Sequence, residues 1–424
     1  MERLELARVL ARRRPGEGGL GATHPGSTPS IVDERDPGRF MASFASALRS
    51  GAQVFLADPS WGPAERTVLA ELTSVAEEQC EDGPVASSRS DDGWLMIPSG
   101  GTSGTLKFAR HDGATLSAAV RGFAERFGVE RINCVGVLPL HHVSGLMGWM
   151  RAELTGGAFL PWDWKHLESG SRPGTGGGPW FISLVPTQLH RLLDSRSAVE
   201  WLRGFRAILV GGGPVWPALA SAAAEEGLPI SLTYGTTETA AMATALSPDD
   251  FLAGGRDSGA PLPHVRIGLS PEGVIRVAGP SVFRGYFPAL DAATPPEERE
   301  FVTGDLGRLD DRGHLVVLGR KDAVIITGGK KVDPREVEAA LWASGEFADV
   351  AVVGIPDPEW GEAVVACYPG DQRPPDFTLP AARGGALAAY KRPRRFEAIP
   401  NWPRNAQGKV NRAALLEAIR VHRA

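Results

Sequence analysis

Between Asn133 and Tyr234 the chain repeats one pattern, a short apolar run followed by a stretch with helical spacing. Asn133–Leu138, Phe181–Val185, Ala207–Val210 and Ile230–Tyr234 read as strands. Ser144–Leu154, Pro186–Leu193 and Ala218–Glu226 read as the helices between them. This alternation admits few folds, because strands joined through helices lie parallel in one sheet with helices packed on it. Upstream, Phe40–Leu48, Glu65–Gln79 and Ala114–Phe127 read as helices, and Ala52–Ala57 as a strand ending in Asp58-Pro59. In such a sheet ligands bind beyond the carboxyl ends of the strands. Three loops there carry candidate residues: Pro139-Leu140-His141-His142, Gly211-Gly212-Gly213-Pro214 and Gly235-Thr236-Thr237-Glu238.

After residue 250 the pattern changes. Val265–Leu269, Gly273–Val277 and Gly313–Leu318 read as antiparallel strands with Gly-containing turns, and Thr303-Gly304-Asp305 as a tight turn carrying a carboxylate. A boundary is expected at Gly319 to Asp322. Beyond it lie a helix, Pro334–Ala343, a strand, Asp349–Val353, and a last helix, Arg412–His422. Residues 168 to 179 read as a low-complexity surface loop. Met1 to Arg14 reads as a surface amphipathic helix without the apolar core of a signal peptide.

A net charge of −5 gives no reason to expect nucleic acid or an anionic membrane as partner. Cys80, Cys134 and Cys367 are scattered, which excludes a disulfide framework or zinc ribbon and suits a reducing, cytoplasmic setting. No apolar run approaches the roughly 20 residues of a membrane span.

The stretch Ser99 to Lys107 follows a buried-strand pattern, Trp94 to Ile97, and combines three glycines, four hydroxyls and one lysine. Glycines let backbone N–H groups approach a ligand, hydroxyls add donors and Lys adds charge. The stretch reads as a phosphate-binding loop or as a flexible Gly/Ser turn. It is not a Walker loop, because Lys107 stands three residues after Gly104 and no Gly-Lys-Ser/Thr occurs there.

Further along come Tyr234-Gly235-Thr236-Thr237-Glu238, Thr303-Gly304-Asp305, Gly319-Arg320-Lys321-Asp322, Gly328-Gly329-Lys330-Lys331 and Gly408-Lys409. Singly these are a cap, a turn or solvated charge. In this order, from about residue 94 to 415, they resemble the signatures of the adenylate-forming acyl- and aryl-CoA synthetases. Leu138 to Met147, the Ser99–Lys107 loop running into Phe108-Ala109, and Val185 to Leu189 look like the o-succinylbenzoate–CoA ligase branch, which serves menaquinone or phylloquinone synthesis.

The resemblance implies an α/β fold with a large N-terminal domain, residues 1–320, of packed mixed and parallel sheets with helices plus a β-barrel-like portion. It implies a small mobile α+β C-terminal domain, residues 322–424, with Asp322 as hinge. ATP, Mg²⁺ and coenzyme A are the implied cofactors, a small carboxylic acid the substrate, and a monomer or homodimer the assembly. Ser99, Gly101, Thr102, Ser103, Gly104, Thr105 and Lys107 would cradle the β- and γ-phosphates, although Gly100 and Leu106 depart from the family's usual Ser and Pro. Glu238 would ligate Mg²⁺. Thr237, with Gly235 and Thr236, would meet the α-phosphate, Tyr234 and Gly211 to Pro214 the adenine, and Asp305 and Arg320 the ribose. Lys409 would bridge the reacting carboxylate and the α-phosphate, and Gly328 and Gly329 would line the pantetheine tunnel. His142 would stand between the acyl pocket and the side where CoA arrives, with Ser144, Thr187 and Gln188 lining the pocket. The same signatures leave room for another aryl- or acyl-CoA ligase, for an adenylation enzyme that loads a carrier protein, or for a degenerate nucleotide-binding module.

Overall fold

The computed structural model describes residues 28–81, 93–100, 106–288, 298–347, 349–370, 387–404 and 410–421. The amphipathic stretch Met1 to Arg14, the loop positions Gly101 to Thr105, and Lys409 lie outside the described residues.

The expected parallel sheet is present. Its strand order is Ala260–Pro261, Ala241–Ala245, Ile230–Thr236, Ala207–Val210, Trp180–Leu184, Asn133–Gly136, Phe159–Pro161. The run from Ile230–Thr236 to Phe159–Pro161 is parallel, and Ala241–Ala245 and Ala260–Pro261 add antiparallel at one edge. Every residue of Ala207–Val210 is buried, as a strand covered on both faces requires. On one face Leu189, Leu192, Val199, Leu202 and Leu219 from three helices pack against Ile182, Ile208 and Ile230. On the other, Phe123, Phe181 and Leu209 meet Ile275, Val277 and Leu315 of an antiparallel sheet.

A second mixed sheet runs Ser30–Val32, Val54–Leu56, Leu95–Gly100, Leu106–His111, Tyr286–Phe287. Helices Pro37–Ser50, Gly113–Phe127 and Val143–Thr155 fill the space between the sheets through Phe40, Phe44, Leu116, Val120, Leu146 and Met150. Asp36 and Asp112 start the first two by accepting from Arg39 N and Thr115 N, both at 2.8 Å. Such caps contribute about 1 kcal/mol each.

The antiparallel sheet holds Arg266–Leu269, Val274–Ala278, Glu300–Leu309 and Leu315–Arg320. Here one expectation is corrected. Thr303-Gly304-Asp305 is no turn but the middle of the ten-residue strand Glu300–Leu309. Without a Cβ, Gly304 leaves room for the Arg320 guanidinium of the neighbouring strand, which would lie 2.6 Å from one. Register shifts at Val274/Arg276 and Leu306/Gly307 bend these strands and give the barrel-like portion its curl.

The C-terminal sheet runs Lys330–Val332, Ile325–Thr327, Gly361–Pro369, Ala351–Asp357, with Arg395–Ile399 parallel to Gly361–Pro369. Its side chains alternate faces as a strand's period demands. Val352 and Val364 pack on helix Pro334–Ala343 through Val337 and Leu341. Val353 and Val365 pack on helix Arg412–Val421 through Leu415 and Ile419. No described helix is long and apolar enough to cross a membrane.

Candidate active site

The two mixed sheets and the curled sheet meet where their strand ends carry polar residues. Glu238 follows the strand Ile230–Thr236 and is only 5% exposed. Its Oε1 accepts from the Ser99 hydroxyl at 2.6 Å and from the Tyr286 hydroxyl at 2.7 Å. Both donors converge on one oxygen of a buried side chain, so the group is fixed in place at the cleft. Burial and the Glu238 charge together push the Tyr286 phenol well above its usual value, so it stays a donor. Lys107 pairs in register with Ser99 across the hairpin, and its Nζ lies 5.6 Å from the Tyr286 ring centre. Thus Ser99, Lys107 and Glu238, at first linked only by sequence pattern, share one corner.

Thr237 is held from behind. His111 is fully buried, and its Nε2–H donates to the Thr237 carbonyl at 2.8 Å, which fixes the tautomer because a carbonyl only accepts. Its Nδ1 faces the Thr115 hydroxyl at 3.1 Å. Burial pulls the imidazole down to about 4, so it is neutral near pH 7. Just beyond, Ala240 and Ala241 take φ of 53° and 75°, a conformation non-glycine residues rarely adopt. That strain folds the chain back beside Gly235, where a Cβ would strike the Ala241 carbonyl at 1.5 Å.

A second group sits along the curled sheet. The Tyr234 hydroxyl donates to Asp305 Oδ2 at 2.8 Å. Arg320 lies opposite Asp305 in register, 3.9 Å from Oδ1, and grips Asp322 with two bonds of 2.9 and 2.8 Å. Asp305, Arg320 and Asp322 therefore form one charged row running to the strand's end. Gly211 to Pro214 leave the neighbouring strand Ala207–Val210, and a Cβ on Gly211 would meet the Thr233 hydroxyl at 2.4 Å.

Beside these strands a narrow cavity is lined by Leu138, Ser144, Gly145, Gly148 and Ser183. His142 stands at the start of the helix carrying Ser144 and Gly148. One turn beyond Gly148, Arg151 is 3% exposed, stacks on Phe123 at 4.2 Å, and forms no ion pair with a described carboxylate. Burial pulls it down to about 10, and it stays charged near neutrality. Thr187 and Gln188 stand in the first turn of helix Pro186–Leu193, where the Gln188 Oε1 accepts from Val185 N at 3.1 Å. Tyr286, His111 and Arg151 were missed in the sequence. Only Arg151 left a signal there, as a cation directly after the run Leu146 to Met150.

The remaining candidates lie in the C-terminal part. Gly328 and Gly329, with φ of 55° and 73°, turn the hairpin between Ile325–Thr327 and Lys330–Val332. A Cβ on Gly328 would lie 3.0 Å from the Trp360 ring. Lys409 lies outside the described residues; of its described neighbours, Arg404 and Val410 form a bridge and Asn411 N donates to Pro403 O at 2.9 Å. Trp342, on helix Pro334–Ala343, stacks on Trp216 with ring centres 4.9 Å apart and planes 29° from parallel. Trp216 follows Pro214 by two residues, so the C-terminal part touches the glycine loop's continuation.

The profile of the AMP-binding enzymes matches residues 41–287, and that of the AMP-binding enzyme C-terminal domain matches residues 336–409. The chain belongs to the AMP-binding enzyme family. Within it, the chain is 31% identical to the 2-succinylbenzoate–CoA ligase of Geobacillus kaustophilus over 371 residues, covering 83% of this chain and 73% of that one. It is also 31% identical to the 2-succinylbenzoate–CoA ligase of Enterococcus faecalis, over 73% of this chain and 66% of the relative. The chain thus spans about two thirds to three quarters of these relatives' lengths. Among solved AMP-binding structures, o-succinylbenzoate CoA synthetase (MenE) from Bacillus subtilis, in complex with the acyl-adenylate intermediate OSB-AMP, superposes with a TM-score of 0.76 at 24% identity, over 98% of this chain and 92% of that one. The ATP-bound MatB from Rhodopseudomonas palustris gives a TM-score of 0.72 at 22% identity, over 98% and 91%. These likenesses establish the fold.

Proposed function

We propose that the chain is an ATP-dependent 2-succinylbenzoate–CoA ligase acting through an acyl-adenylate, in the synthesis of menaquinone or phylloquinone. Its work divides between residues 1–320 and a mobile unit of residues 322–424. The observation that carries the substrate class is Arg151, a buried cation one turn from the cavity-lining Gly148, in a chain whose relatives at 31% identity bear that enzyme's name. The acid has two carboxylates and only one reacts. The other needs a fixed cation in a dry pocket, and a guanidinium binds a carboxylate in two-point fashion.

In the first half-reaction a carboxylate oxygen bonds to the α-phosphorus of ATP and pyrophosphate leaves. In the second, the CoA sulfur bonds to the acyl carbon, its proton departs and AMP leaves. Fixed donors and cations lower both barriers by meeting charge where it develops. Ser99 and Lys107, with the loop 101–105 between them, hold the leaving phosphates. Glu238 fits Mg²⁺: it is an oxygen donor, its Oε1 is held by Ser99 and Tyr286, and none of these hydroxyls reaches Oε2. When bound, the ion neutralises phosphate charge. His111 positions Thr237 toward the α-phosphate. Tyr234 and the Gly211–Pro214 loop flank the adenine, and Asp305 accepts from the ribose hydroxyls with Arg320 beside it. Lys409 stands between the two reacting anions and offsets their repulsion. Asp322 is the pivot that exchanges Lys409 for the Gly328–Gly329 hairpin, whose lack of side chains admits the pantetheine. Ser144 and His142 border the acyl group, with Thr187 and Gln188 at its far side.

A pyrophosphate-release screen over carboxylic acids with ATP and Mg²⁺, with and without CoA, tests the reading. Turnover of 2-succinylbenzoate with free CoA is expected. Turnover of benzoate or a fatty acid alone, or product only with a carrier protein, overturns the substrate assignment.

A further inference from the structure

We propose that Asp58, His141 and His142 form a binding site for one divalent transition-metal ion of the zinc class. Asp58 follows the strand Val54–Leu56, and the two histidines end the loop before helix Val143–Thr155. Asp58 and His141 are each 6% exposed. Asp58 Oδ1 accepts from the Ser60 backbone N–H at 2.8 Å and from its hydroxyl at 2.6 Å, which turns Oδ2 toward His141.

The decisive distance is the one between Oδ2 and His141 Nε2, 3.5 Å. It is longer than a usual N–H···O bond of roughly 2.7–3.2 Å and is an ion-pair distance, at which His141 holds the Asp58 carboxyl low. It matches the edge, about 3.3–3.5 Å, of a coordination tetrahedron built on the usual metal–ligand lengths of about 2.0–2.2 Å. His141 Nε2 is buried and has no hydrogen-bond partner among the described residues. One ring nitrogen of His142 completes the set, with the three ligand atoms all within 4.8 Å of one another. The two rings lie side by side, tilted 58° with centres 4.3 Å apart.

Two imidazoles and one carboxylate suit zinc, cobalt or nickel rather than the oxygen-seeking magnesium. The Ser60 bonds are the outer contacts that orient a ligating carboxylate. The contrast with Asp257, Asp310 and His314, the other such cluster among the described residues, is instructive. There His314 bonds Asp257 at 2.9 Å, and Arg312 pairs with Asp257 at 2.9 Å and Asp310 at 3.4 Å, so existing bonds already satisfy the cluster. A metal that takes His142 also removes it from the acyl pocket, so occupancy lowers ligase turnover. That consequence, unlike the binding, rests on the proposed function.

The test uses the untagged full chain, stripped with a chelator and titrated with Co²⁺ without nucleotide. One equivalent should produce visible d–d bands of low-coordinate cobalt, and Zn²⁺ should bleach them. Asp58→Asn and His141→Phe should each weaken binding at least tenfold while circular dichroism shows an intact fold. X-ray absorption of the wild-type zinc complex needs no variant and should show two imidazoles with oxygen ligation. Absence of saturable cobalt bands, bands undiminished in both variants, or a zinc shell without two imidazoles overturns the site and leaves an Asp–His ion pair. Pyrophosphate release with Mg²⁺ and ATP is measured separately, so failure of the metal site and failure of the ligase reading are told apart.

Discussion

The Ser99–Glu238–Tyr286 corner and the Gly328–Gly329 hairpin are both candidate contact points for one reaction, yet they are held in opposite ways. Glu238 is 5% exposed, gripped through Oε1 by two hydroxyls from separate strands, and backed by the His111–Thr237 bond. The hairpin is carried by paired strands of three residues each, with its glycines exposed, and rests on Trp360. The first arrangement suits a group that must not move during phosphoryl chemistry. The second suits a part that arrives and leaves. Lys409 is proposed to belong with the second, and Arg404 and Val410, on either side of residues 405–409, are bridged to each other.

That contrast is open to experiment. Its largest consequence concerns Lys409→Ala, which should cut acyl-AMP formation by about 10²–10³-fold or more. Thioester formation from supplied acyl-AMP should stay nearly unchanged, and equal loss in both half-reactions would break the division of labour. Next, Glu238→Gln should slow pyrophosphate release by about 10²-fold and raise the Mg²⁺ concentration needed for half-maximal rate. An unchanged Mg²⁺ requirement removes the metal from that carboxylate. Arg151→Met should raise KM for 2-succinylbenzoate by about 10–100-fold, the worth of a hydrogen bond to a charged group. Acids lacking the second carboxylate should be spared, and a uniform rise across acids would reduce Arg151 to packing.

A smaller effect tests the rigidity of the first region by pH. His111 has a pKa of about 4 in the folded chain, against 6.5 for an unperturbed imidazole. Between those values the unfolded chain binds the extra proton, so stability is full above pH 6.5 and falls as pH drops toward 4. The loss from this group approaches about 3 kcal/mol across that window. Urea melts at pH 7 and pH 5 should show it, and His111→Gln should flatten the difference. The mildest change is Trp342→Ala, expected to alter the balance of the two half-reactions by a few-fold while leaving the Glu238 corner untouched.

Much of this was legible because strand ends and glycines leave local marks. Ile230–Thr236 announced its own apolar run, and Glu238 stood where a parallel sheet presents ligand groups. Helix Pro334–Ala343 matched its reading residue for residue, with Pro334 in its first turn after the cap Asp333. What was not legible depends on distance along the chain. Ser99 and Glu238 are 139 residues apart and Tyr286 another 48, and no local pattern announces that they share one oxygen. Thr303-Gly304-Asp305 looked like a turn because glycine usually marks one. That it lies within a strand and faces Arg320 across the sheet is visible only once the strands are paired.

The stacked rings of Trp216 and Trp342 have an optical consequence. Two indoles 4.9 Å apart are close enough to perturb each other's excited states, and one of them belongs to the proposed C-terminal unit. If that unit pivots at Asp322 during turnover, the pair separates and its emission changes without any added dye. Each catalytic cycle then writes its own fluorescence trace, and stopped-flow mixing with ATP and acid, then with CoA, could time the swing against the chemistry.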